Sequence, residues 1–349
     1  MRIALLGTGV HPIPPTGYGG IERVLAEFAD ALRRAGQVVS IVQQVRKERS
    51  LDEYWFARHL NQLLSHTSYD VLHASTPVVA AQLAWSRRPY IYTTHSRHWF
   101  ERSGVTEHWG YWLEKRAVRH SVATVALTER VRSQVTRVLG SSLPSSLPII
   151  PIGVDLTRFQ PDWSRRTGKR ALGVGAILPV KRWEVAAQAL KGTGFSLRIA
   201  GPLADPSYAA QLRTSGDPVE LLGELSESQL IDEYAQSDLL VHPSRVELLP
   251  GAVVQGLAAG LPVLGAEPVR DLVIEDATGW VAPPGSDPSA IARFFRDRLA
   301  RISQDQQRLR TMGEAARKSA ERAFDWGRIA GAHVDLYTRI LNTASASRA

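Results

Sequence analysis

The stretch that decides the fold begins with Asp238-Leu-Leu-Val-His-Pro-Ser-Arg-Val-Glu247 and continues with Leu-Leu-Pro-Gly-Ala-Val-Val-Gln255-Gly-Leu-Ala-Ala-Gly-Leu-Pro-Val263. Its first part, Leu239–Val241, is a short apolar run, which predicts a parallel strand buried on both faces. Pro243 ends this strand, because proline cannot donate a hydrogen bond to a sheet ladder. The loop that follows carries a single carboxylate, Glu247.

A helix of small and apolar residues, Ala252–Ala259, comes after the loop. Pro250 suits its start, because the N–H that proline lacks has no partner in a first turn. Gly260 ends the helix, and residues 261–265 begin another strand. This order places Glu247 and a set of free backbone N–H groups at the carboxyl edge of a parallel sheet. An open α/β sheet binds anionic ligands at that edge.

The same residues resemble the signature of glycosyltransferase family 4, the retaining nucleotide-sugar glycosyltransferases of the GT-B fold. The matching elements are Pro-Ser-x-x-Glu, an amide at Gln255 eight residues after Glu247, and small-x-x-Gly-x-Pro-Val. Family members usually have a second Glu in place of Gln255, and often Gly-Phe-Gly in place of residues 248–250. The resemblance implies an α/β fold with two Rossmann-like domains that face each other across a cleft. An ordinary strand, loop and helix with an incidental surface Glu is the alternative.

The composition fits a protein of two domains. A chain of 349 residues is too long for one compact core, and 44% apolar with 22% charged residues is ordinary for a globular protein. Cysteine is absent, so the chain has neither a disulfide nor a thiolate nucleophile or metal ligand. Met1–Gly7 is too short for a secretory segment, and no run approaches the roughly 18 apolar residues of a membrane-spanning helix. We therefore expect a cytoplasmic protein, with peripheral attachment to the inner membrane face as an alternative.

The net charge of +8 is concentrated in the first half of the chain. Through residue 165 there are 20 Lys and Arg against 13 Asp and Glu, a balance of +7, and the remainder has 22 against 21. Two interpretations stay open: solvated helix faces, or an anionic acceptor or membrane surface that meets the first half. Nucleic acid is not expected as a partner, because no basic low-complexity arm or known binding motif appears.

A loop rich in glycine and proline, Gly7–Gly20, follows the first predicted strand. It does not fit a dinucleotide-binding oxidoreductase, because the third glycine of Gly-x-Gly-x-x-Gly is missing and the second strand ends at Gln43-Gln44 rather than Asp or Glu. The end of the loop resembles the family's Gly-Gly-x-Glu segment. The resemblance implies that the bare backbone of Gly19 and Gly20 approaches the donor phosphate. A flexible turn before a helix is the alternative.

Two histidines lie at predicted strand ends in the first half. Tyr69–His73 matches the family's Asp-hydrophobic-hydrophobic-His strand, and we expect His73 to be structural. His95 ends the strand that begins at Tyr90, and it resembles the family histidine whose surroundings line the sugar pocket. A scaffold histidine held by hydrogen bonds is the alternative for His95.

An aromatic and basic segment, Trp109–Arg119, lies between two of these strands. Helical spacing predicts that Trp109, Trp112 and Leu113 share one face, with Lys115, Arg116 and Arg119 nearby. Such a stripe is commonly core. The mixture of aromatic and basic residues also suits sugar stacking or a membrane interface.

The domain boundaries follow from the order of motifs. Pro151–Pro161 resembles the family's Pro-Asn-Gly-Val-Asp-x-x-x-Phe-x-Pro, with Ile152 in place of Asn, and this motif ends the first domain. We predict an acceptor-side domain over 1–165 and a nucleotide-sugar-binding domain over 166–325. The resemblance implies that the final helix, 326–349, packs back on the first domain.

The second domain contains the family's phosphate-binding pattern in partial form. Family members have Gly-Arg-x-x-x-x-Lys, and this chain matches at Gly175 and Lys181 but has Ala176 in place of Arg. A single Lys offers a point charge rather than the bidentate fork of Arg. Arg182 is a candidate replacement, and a solvated loop lysine is the alternative for Lys181.

The resemblance implies a retaining, hexosyltransferase-type glycosyltransferase that uses a nucleoside-diphosphate sugar, with UDP favoured, and a glycan or lipid-linked acceptor. A catalytically impaired nucleotide-sugar-binding protein and a GT-B nucleotide-sugar epimerase remain alternatives. No cofactor and no metal are expected, because the sequence has no DxD-type carboxylate pair or histidine cluster. The resemblance implies catalytic roles for Lys181, Glu247 and His95, and donor binding by Gly19, Gly20, Gly223, Glu224, Leu225, Leu249, Pro250, Gly251, Ala252, Val253 and Gln255.

Overall fold

The computed structural model describes residues 1–15, 19–45, 52–65, 67–95, 97–100, 105–144, 146–214, 219–302 and 305–346. The chain divides into two compact units. The first contains Met1–Gly153 together with Trp326–Ala349, and the second contains Val154–Asp325.

The first unit alternates strands and helices. In chain order its elements are β1 (Arg2–Leu6), α1 (Gly20–Arg34), β2 (Val38–Val42), α2 (Asp52–Leu63), β3 (Val71–Ala74), α3 (Pro77–Trp85), β4 (Ile91–Thr93), α4 (Val105–His120), β5 (Ala123–Val125) and α5 (Glu129–Leu139).

The second unit repeats this alternation and ends in two helices. Its elements are β6 (Arg170–Val174), α6 (Trp183–Leu190), β7 (Ser196–Ala200), α7 (Pro206–Thr214), β8 (Val219–Gly223), α8 (Glu227–Gln236), β9 (Leu239–His242), α9 (Gly251–Ala258), β10 (Val263–Gly265), β11 (Gly279–Val281), α10 (Pro288–Ile302) and α11 (Gln306–Ala323). The last helix of the chain, α12 (Trp326–Ala346), belongs to the first unit.

Each unit is built on a parallel sheet. The strand order is β2-β1-β3-β4-β5 in the first unit and β11-β10-β9-β6-β7-β8 in the second, and all named strand pairs are parallel. The predicted α/β class with two parallel-sheet domains is therefore confirmed. In the second sheet the chain runs outward from β6 in both directions, so the topological switch point lies between β6 and β9.

The boundary between the units lies earlier than the predicted residue 165. Arg317 on α11 explains why, because its guanidinium donates to the carbonyls of Leu156 (3.0 Å) and Phe159 (2.7 Å). The Phe159 ring also packs edge-on against Tyr234, with centroids 5.5 Å apart. Residues 154–165 therefore fold with the second unit.

The final helix packs on the first unit. Trp326 stacks on Phe28 of α1 with ring centroids 6.0 Å apart, and its indole N–H donates to Glu27 (2.9 Å). Tyr337 donates or accepts a 2.6 Å hydrogen bond with Nδ1 of His73, whose Nε2 bonds Thr93 (2.7 Å). Both nitrogens of His73 are thus used inside the core, which confirms its structural assignment.

The predicted stripe on α4 is only partly correct. Leu113 is buried, whereas Trp109 and Trp112 are 47% and 45% exposed. Neighbouring residues of a helix are about 100° apart, so Trp112 and Leu113 point to different sides. Within the part of the chain that the structure describes, no helix is long and apolar enough to cross a membrane.

Candidate functional site

The loops that follow β6 and β9 form the candidate site in the second unit. These strands are neighbours in the sheet, and both loops leave it at the carboxyl edge. The N–H of Arg245 donates to the carbonyl of Val180 (2.9 Å), and the Ser244 hydroxyl donates to the same carbonyl (3.4 Å). These bonds hold the two loops together, which brings Lys181 and Glu247 into contact although 66 residues separate them.

Lys181, Glu247 and His242 form a charged cluster at this point. Lys181 Nζ lies 2.5 Å from Glu247 Oε1, and His242 Nε2 lies 3.3 Å from the same oxygen. Burial disfavours the ionised form of Glu247, but the adjacent imidazole and ammonium outweigh this effect and lower its pKa to about 2. Burial lowers the pKa of His242, so its imidazole is neutral at pH 7. The site therefore holds one ammonium and one carboxylate.

His242 is not among the residues that the sequence pattern indicates. It is the last residue of β9 and is only 1% exposed. The sequence offered one signal for His242: it lies directly before Pro243, at the end of a strand whose following loop carries Glu247. Since histidine at such a position is commonly scaffold, the spatial contact with Glu247 was needed to identify it.

Gly175 makes room for Lys181. A Cβ at Gly175 would lie 3.3 Å from Lys181 Cε and 3.5 Å from Nζ, and the φ of this glycine is 152°. Ala176, which follows it, is 6% exposed, and its carbonyl accepts a hydrogen bond from the Trp183 indole (3.1 Å). The loop is thus shaped so that the lysine folds back over bare backbone.

Helix α9 begins at the same sheet edge. Its N-terminal residues Gly251 and Ala252 are half-buried, and Pro250, Leu249 and Val253 are buried. The first amides of a helix have no partner within the helix and carry partial positive charge, so this end suits an anion. The structure therefore brings the predicted Lys181, Glu247 and 249–253 to one edge of one sheet.

Two arginines hold the other end of α9. Arg166 donates to the carbonyls of Ala259 (2.5 Å) and Gly260 (2.8 Å), and Arg317 donates to that of Ala258 (2.8 Å). Cations stabilise the negative end of a helix, so these contacts favour the position of the whole helix. Neither arginine could be assigned from the sequence, because their partners are backbone carbonyls more than 50 residues away.

Gln255 lies on the first turns of α9 and is held by a tyrosine. The Tyr234 hydroxyl lies 3.2 Å from Gln255 Oε1 and 3.0 Å from the Ala252 carbonyl, and both oxygens can accept its proton. This contact directs the amide oxygen of Gln255 toward Tyr234 and the amide nitrogen away from it.

The segment after β8 also lies at the carboxyl edge. Gly223 has a φ of 72°, and its carbonyl accepts from the Gly201 N–H (2.8 Å). Glu224 is exposed, and Leu225 is half-buried. This turn places the backbone of residues 223–225 at the same sheet edge as the loops after β6 and β9.

The remaining predicted residues, Gly19, Gly20 and His95, belong to the first unit. A Cβ at Gly19 would lie 2.9 Å from Pro15, whereas one at Gly20 would meet nothing within 4 Å. His95 is half-buried beside a small cavity of about 30 Å³ that His73 and His333 also line. Burial and the nearby His333 lower the pKa of His95 to about 4, so it is neutral at pH 7. Residues 16–18 of the preceding loop lie outside the described residues.

Among the residues that the structure describes, the candidate site has no preformed metal-binding cluster. In the described part of the chain, no group of three or more His, Cys, Asp or Glu side chains is placed to hold a metal ion. The Lys181 ammonium lies beside Glu247, and the first amides of α9 add partial positive charge at the same sheet edge.

Comparisons with known proteins point to one family. The model for glycosyltransferase family 4 matches residues 18–158, and the model for glycosyl transferases group 1 matches residues 158–319. A D-inositol 3-phosphate glycosyltransferase from Kineococcus radiotolerans is 26% identical over 267 residues, which cover 67% of this chain. This chain covers 61% of that relative's length.

Solved structures show the same fold. Sucrose-phosphate synthase from Thermosynechococcus elongatus superposes with a TM-score of 0.82 at 20% identity, over 98% of this chain and 99% of that one. Anabaena HepE, solved with UDP-glucose, superposes with a TM-score of 0.72 at 18% identity, over 99% of this chain and all of that one. The two family matches together span residues 18–319, and the chain belongs to the family 4 type of glycosyltransferases, with the GT-B fold.

Proposed function

We propose that this glycosyltransferase moves a hexose from a nucleoside-diphosphate sugar to a hydroxyl of a glycan or lipid-linked acceptor. The proposed donor is a UDP-sugar. We further propose that the anomeric configuration is retained and that the reaction serves polysaccharide or glycolipid assembly. The observation that carries the proposal is the contact between Lys181 and Glu247 at the switch point, on the sheet edge where α9 begins. One cation for a phosphate and one carboxylate for sugar hydroxyls are thus side by side.

The leaving group sets the main chemical demand. When the bond between the anomeric carbon and the diphosphate oxygen breaks, negative charge grows on the β-phosphate. Lys181 and the first amides of α9 would stabilise that charge as preorganised donors. One helix end contributes about 0.3–1 kcal/mol, and up to about 2 kcal/mol when partly buried. Lys181 would exchange Glu247 for a phosphate oxygen as the donor binds.

The freed carboxylate then acts on the donor sugar. Glu247 would accept hydrogen bonds from sugar hydroxyls, and His242, which also lowers its pKa, would remain beside it. Gln255 would bind the ribose diol through the side of its amide that Tyr234 does not occupy. The backbone of residues 223–225 would hold the nucleobase.

One solved structure supports the donor class, and one relative supports an anionic acceptor. HepE was solved with UDP-glucose, and the Kineococcus radiotolerans relative is named for an acceptor that is a phosphorylated polyol. An anionic acceptor fits the +7 balance of residues 1–165. In the first unit, we assign His95 to the sugar pocket and Gly19 and Gly20 to the donor phosphate. We place the protein in the cytoplasm, at an anionic membrane surface when its acceptor is lipid-linked.

One observation favours a second candidate, a nucleotide-sugar-binding protein with impaired catalysis. The buried Ala176 leaves Lys181 without the arginine that usually accompanies it. Purified protein should be incubated with a panel of nucleoside-diphosphate sugars, and free nucleotide should be measured. Release from one donor is the expected result. Tight nucleotide binding without release from any donor favours the second candidate.

We expect the activity to be independent of divalent metal, because the Lys181 ammonium and the α9 amides supply positive charge where the leaving group forms. Turnover should be unchanged in excess chelator, and added Mg²⁺ or Mn²⁺ should not raise it. A strict requirement for an added divalent ion contradicts the assignment of Lys181.

We expect Gln255→Glu to change the donor Michaelis constant by less than about tenfold. A carboxylate keeps the oxygen that accepts from Tyr234 and can still bind a ribose diol. Gln255→Leu, which keeps the size but removes the acceptor, should raise the donor Michaelis constant further. Equal donor Michaelis constants for Gln255→Leu and the wild type would show that Gln255 does not bind the donor.

A further inference from the structure

Three tryptophans of the first unit are unusually exposed for large apolar side chains. Trp85 at the end of α3 is 48% exposed, and Trp109 and Trp112 on α4 are 47% and 45% exposed. They lie together rather than apart. The Trp109 and Trp112 rings stack with centroids 5.0 Å apart and an interplanar angle of 15°, and Trp85 lies 6.1 Å from Trp112.

Arg116 completes this surface. Its guanidinium lies 5.1 Å from the centroid of the Trp85 ring, which joins the two helices through a cation–π contact. We call Trp85, Trp109, Trp112 and Arg116 the aromatic face. Exposed apolar patches of this kind mark interaction surfaces more often than scattered single residues do.

The core of the unit does not need the aromatic face. The inner side of α4 is already filled by Leu113, Ala117 and Val118, each at most 1% exposed. Glu114 is fully buried as well, and it accepts hydrogen bonds from Tyr92 (2.8 Å), Thr94 (2.6 Å) and Trp99 (3.0 Å). The tryptophans therefore lie outside a packed helix–sheet interface.

The surroundings of the aromatic face are basic. Arg119 is exposed and lies at i+3 from Arg116 and i+7 from Trp112, so it continues the same side of α4. Arg87, two residues after Trp85, is also exposed, and Lys115 is half-buried on α4. The one α4 carboxylate whose side chain the structure describes, Glu114, points inward and is used by the core.

We propose that the aromatic face docks on an anionic lipid surface. Tryptophan rings prefer the headgroup level of a membrane, and each nearby Lys or Arg strengthens binding to anionic lipid by about fivefold. The proposed lipid-linked acceptor gives this docking its biological role, and in that respect the proposal rests on the proposed function. Lipid binding itself is measured without donor or acceptor.

A membrane fits the geometry better than a bound glycan does. Sugars stack on free indole faces, but Trp109 and Trp112 each use one face on the other ring, and Arg116 uses one face of Trp85. Sugar sites also need carboxylates or amides to accept hydroxyl protons, and the residues around the aromatic face are donors. A cluster of exposed indole rings bordered by cations suits the plane of a bilayer.

The test is co-sedimentation of the full chain with vesicles. Phosphatidylcholine vesicles should bind it weakly, and vesicles that also contain phosphatidylglycerol should bind it strongly at low salt. Binding should weaken as salt rises, since exposed charges are screened over about 10 Å at 0.1 M ionic strength. Trp109→Ala with Trp112→Ala, and separately Arg87→Glu with Arg119→Glu, should each lower the partition coefficient by at least about tenfold.

The matched control is Arg34→Glu with Arg339→Glu. Both residues are exposed, on α1 and α12, and these helices share a core cluster with Ile3 and Leu5. In the sheet order, α1 connects β1 to β2 on one side of β1, whereas α3 connects β3 to β4 in the opposite direction. Since both crossovers are right-handed, α1 and α3 lie on opposite faces of the sheet. The control changes the charge equally and should lower binding by less than about threefold.

A second measurement uses the wild-type protein, so it does not depend on whether the variants fold. Brominated lipids should quench part of the tryptophan fluorescence of the wild-type protein in anionic vesicles. Absence of vesicle binding at low salt, equal losses in the face and control variants, or saturable binding of soluble oligosaccharides by the aromatic face would each overturn the proposal. Nucleotide release with a soluble acceptor should be unchanged in the Arg87→Glu, Arg119→Glu variant. This assay tests the proposed function and co-sedimentation tests lipid binding, so failure of one proposal can be told from failure of the other.

Discussion

Lys181→Ala is expected to lower kcat by at least about tenfold, which corresponds to about 1.4 kcal/mol of barrier. The reason is the position of Lys181 at the switch point. Ala176 supplies no cation, and the side chain of Lys181 is the ammonium placed over Gly175 beside Glu247. The charge that forms on the leaving diphosphate would then lose this ammonium and keep the first amides of α9.

Steady-state kinetics with a saturating donor would measure this effect. Lys181→Arg should recover part of the rate, because it keeps the charge but changes its reach and geometry. Lys169→Ala is the control, since Lys169 is an exposed lysine just before β6, at the other end of the same strand. Wild-type kcat in Lys181→Ala, with an unchanged donor Michaelis constant, would refute the phosphate-binding assignment.

Glu247→Ala is expected to lower kcat/KM by about 10- to 150-fold, the range that corresponds to the loss of one hydrogen bond to a charged group, about 1.5–3 kcal/mol. The half-buried carboxylate accepts from Lys181 and would accept from the donor sugar. Its removal therefore takes away a sugar contact and also leaves Lys181 without its present partner. Glu247→Gln, which keeps one acceptor oxygen, should lie between Glu247→Ala and the wild type.

The same measurement needs a control for charge and for folding. Glu267→Ala removes an exposed carboxylate that follows β10 at the same sheet edge, and it should leave kcat/KM unchanged. Thermal unfolding of each variant would show whether the chain is folded at the assay temperature. Because the pKa of Glu247 is about 2, the wild-type pH profile should show no titration of this group between pH 5 and 8. An activity of Glu247→Ala equal to that of Glu267→Ala would remove Glu247 from the donor site.

The sequence by itself determined the local elements and their order. Leu239–Val241 predicted β9, and Pro250-Gly251 predicted the start of α9, because burial on both faces and turn chemistry act within a few residues. The parallel α/β class followed from the alternation of such segments. The family motifs named Lys181 and Glu247 as partners in one site, and the structure places the two side chains in contact.

Only the tertiary structure decided the contacts between distant segments. The Lys181–Glu247 pair needs β6 and β9 to be neighbours, and the contact between His242 and Glu247 needs the loop to fold back over its own strand. Arg317 reaches Leu156, 161 positions away, which assigned residues 154–165 to the second unit. The spacing of α4 likewise could not show that Trp112 faces solvent while Leu113 faces the sheet. A helical pattern gives the angle between side chains, whereas the packing of α3 and the sheet fixes which angle points inward.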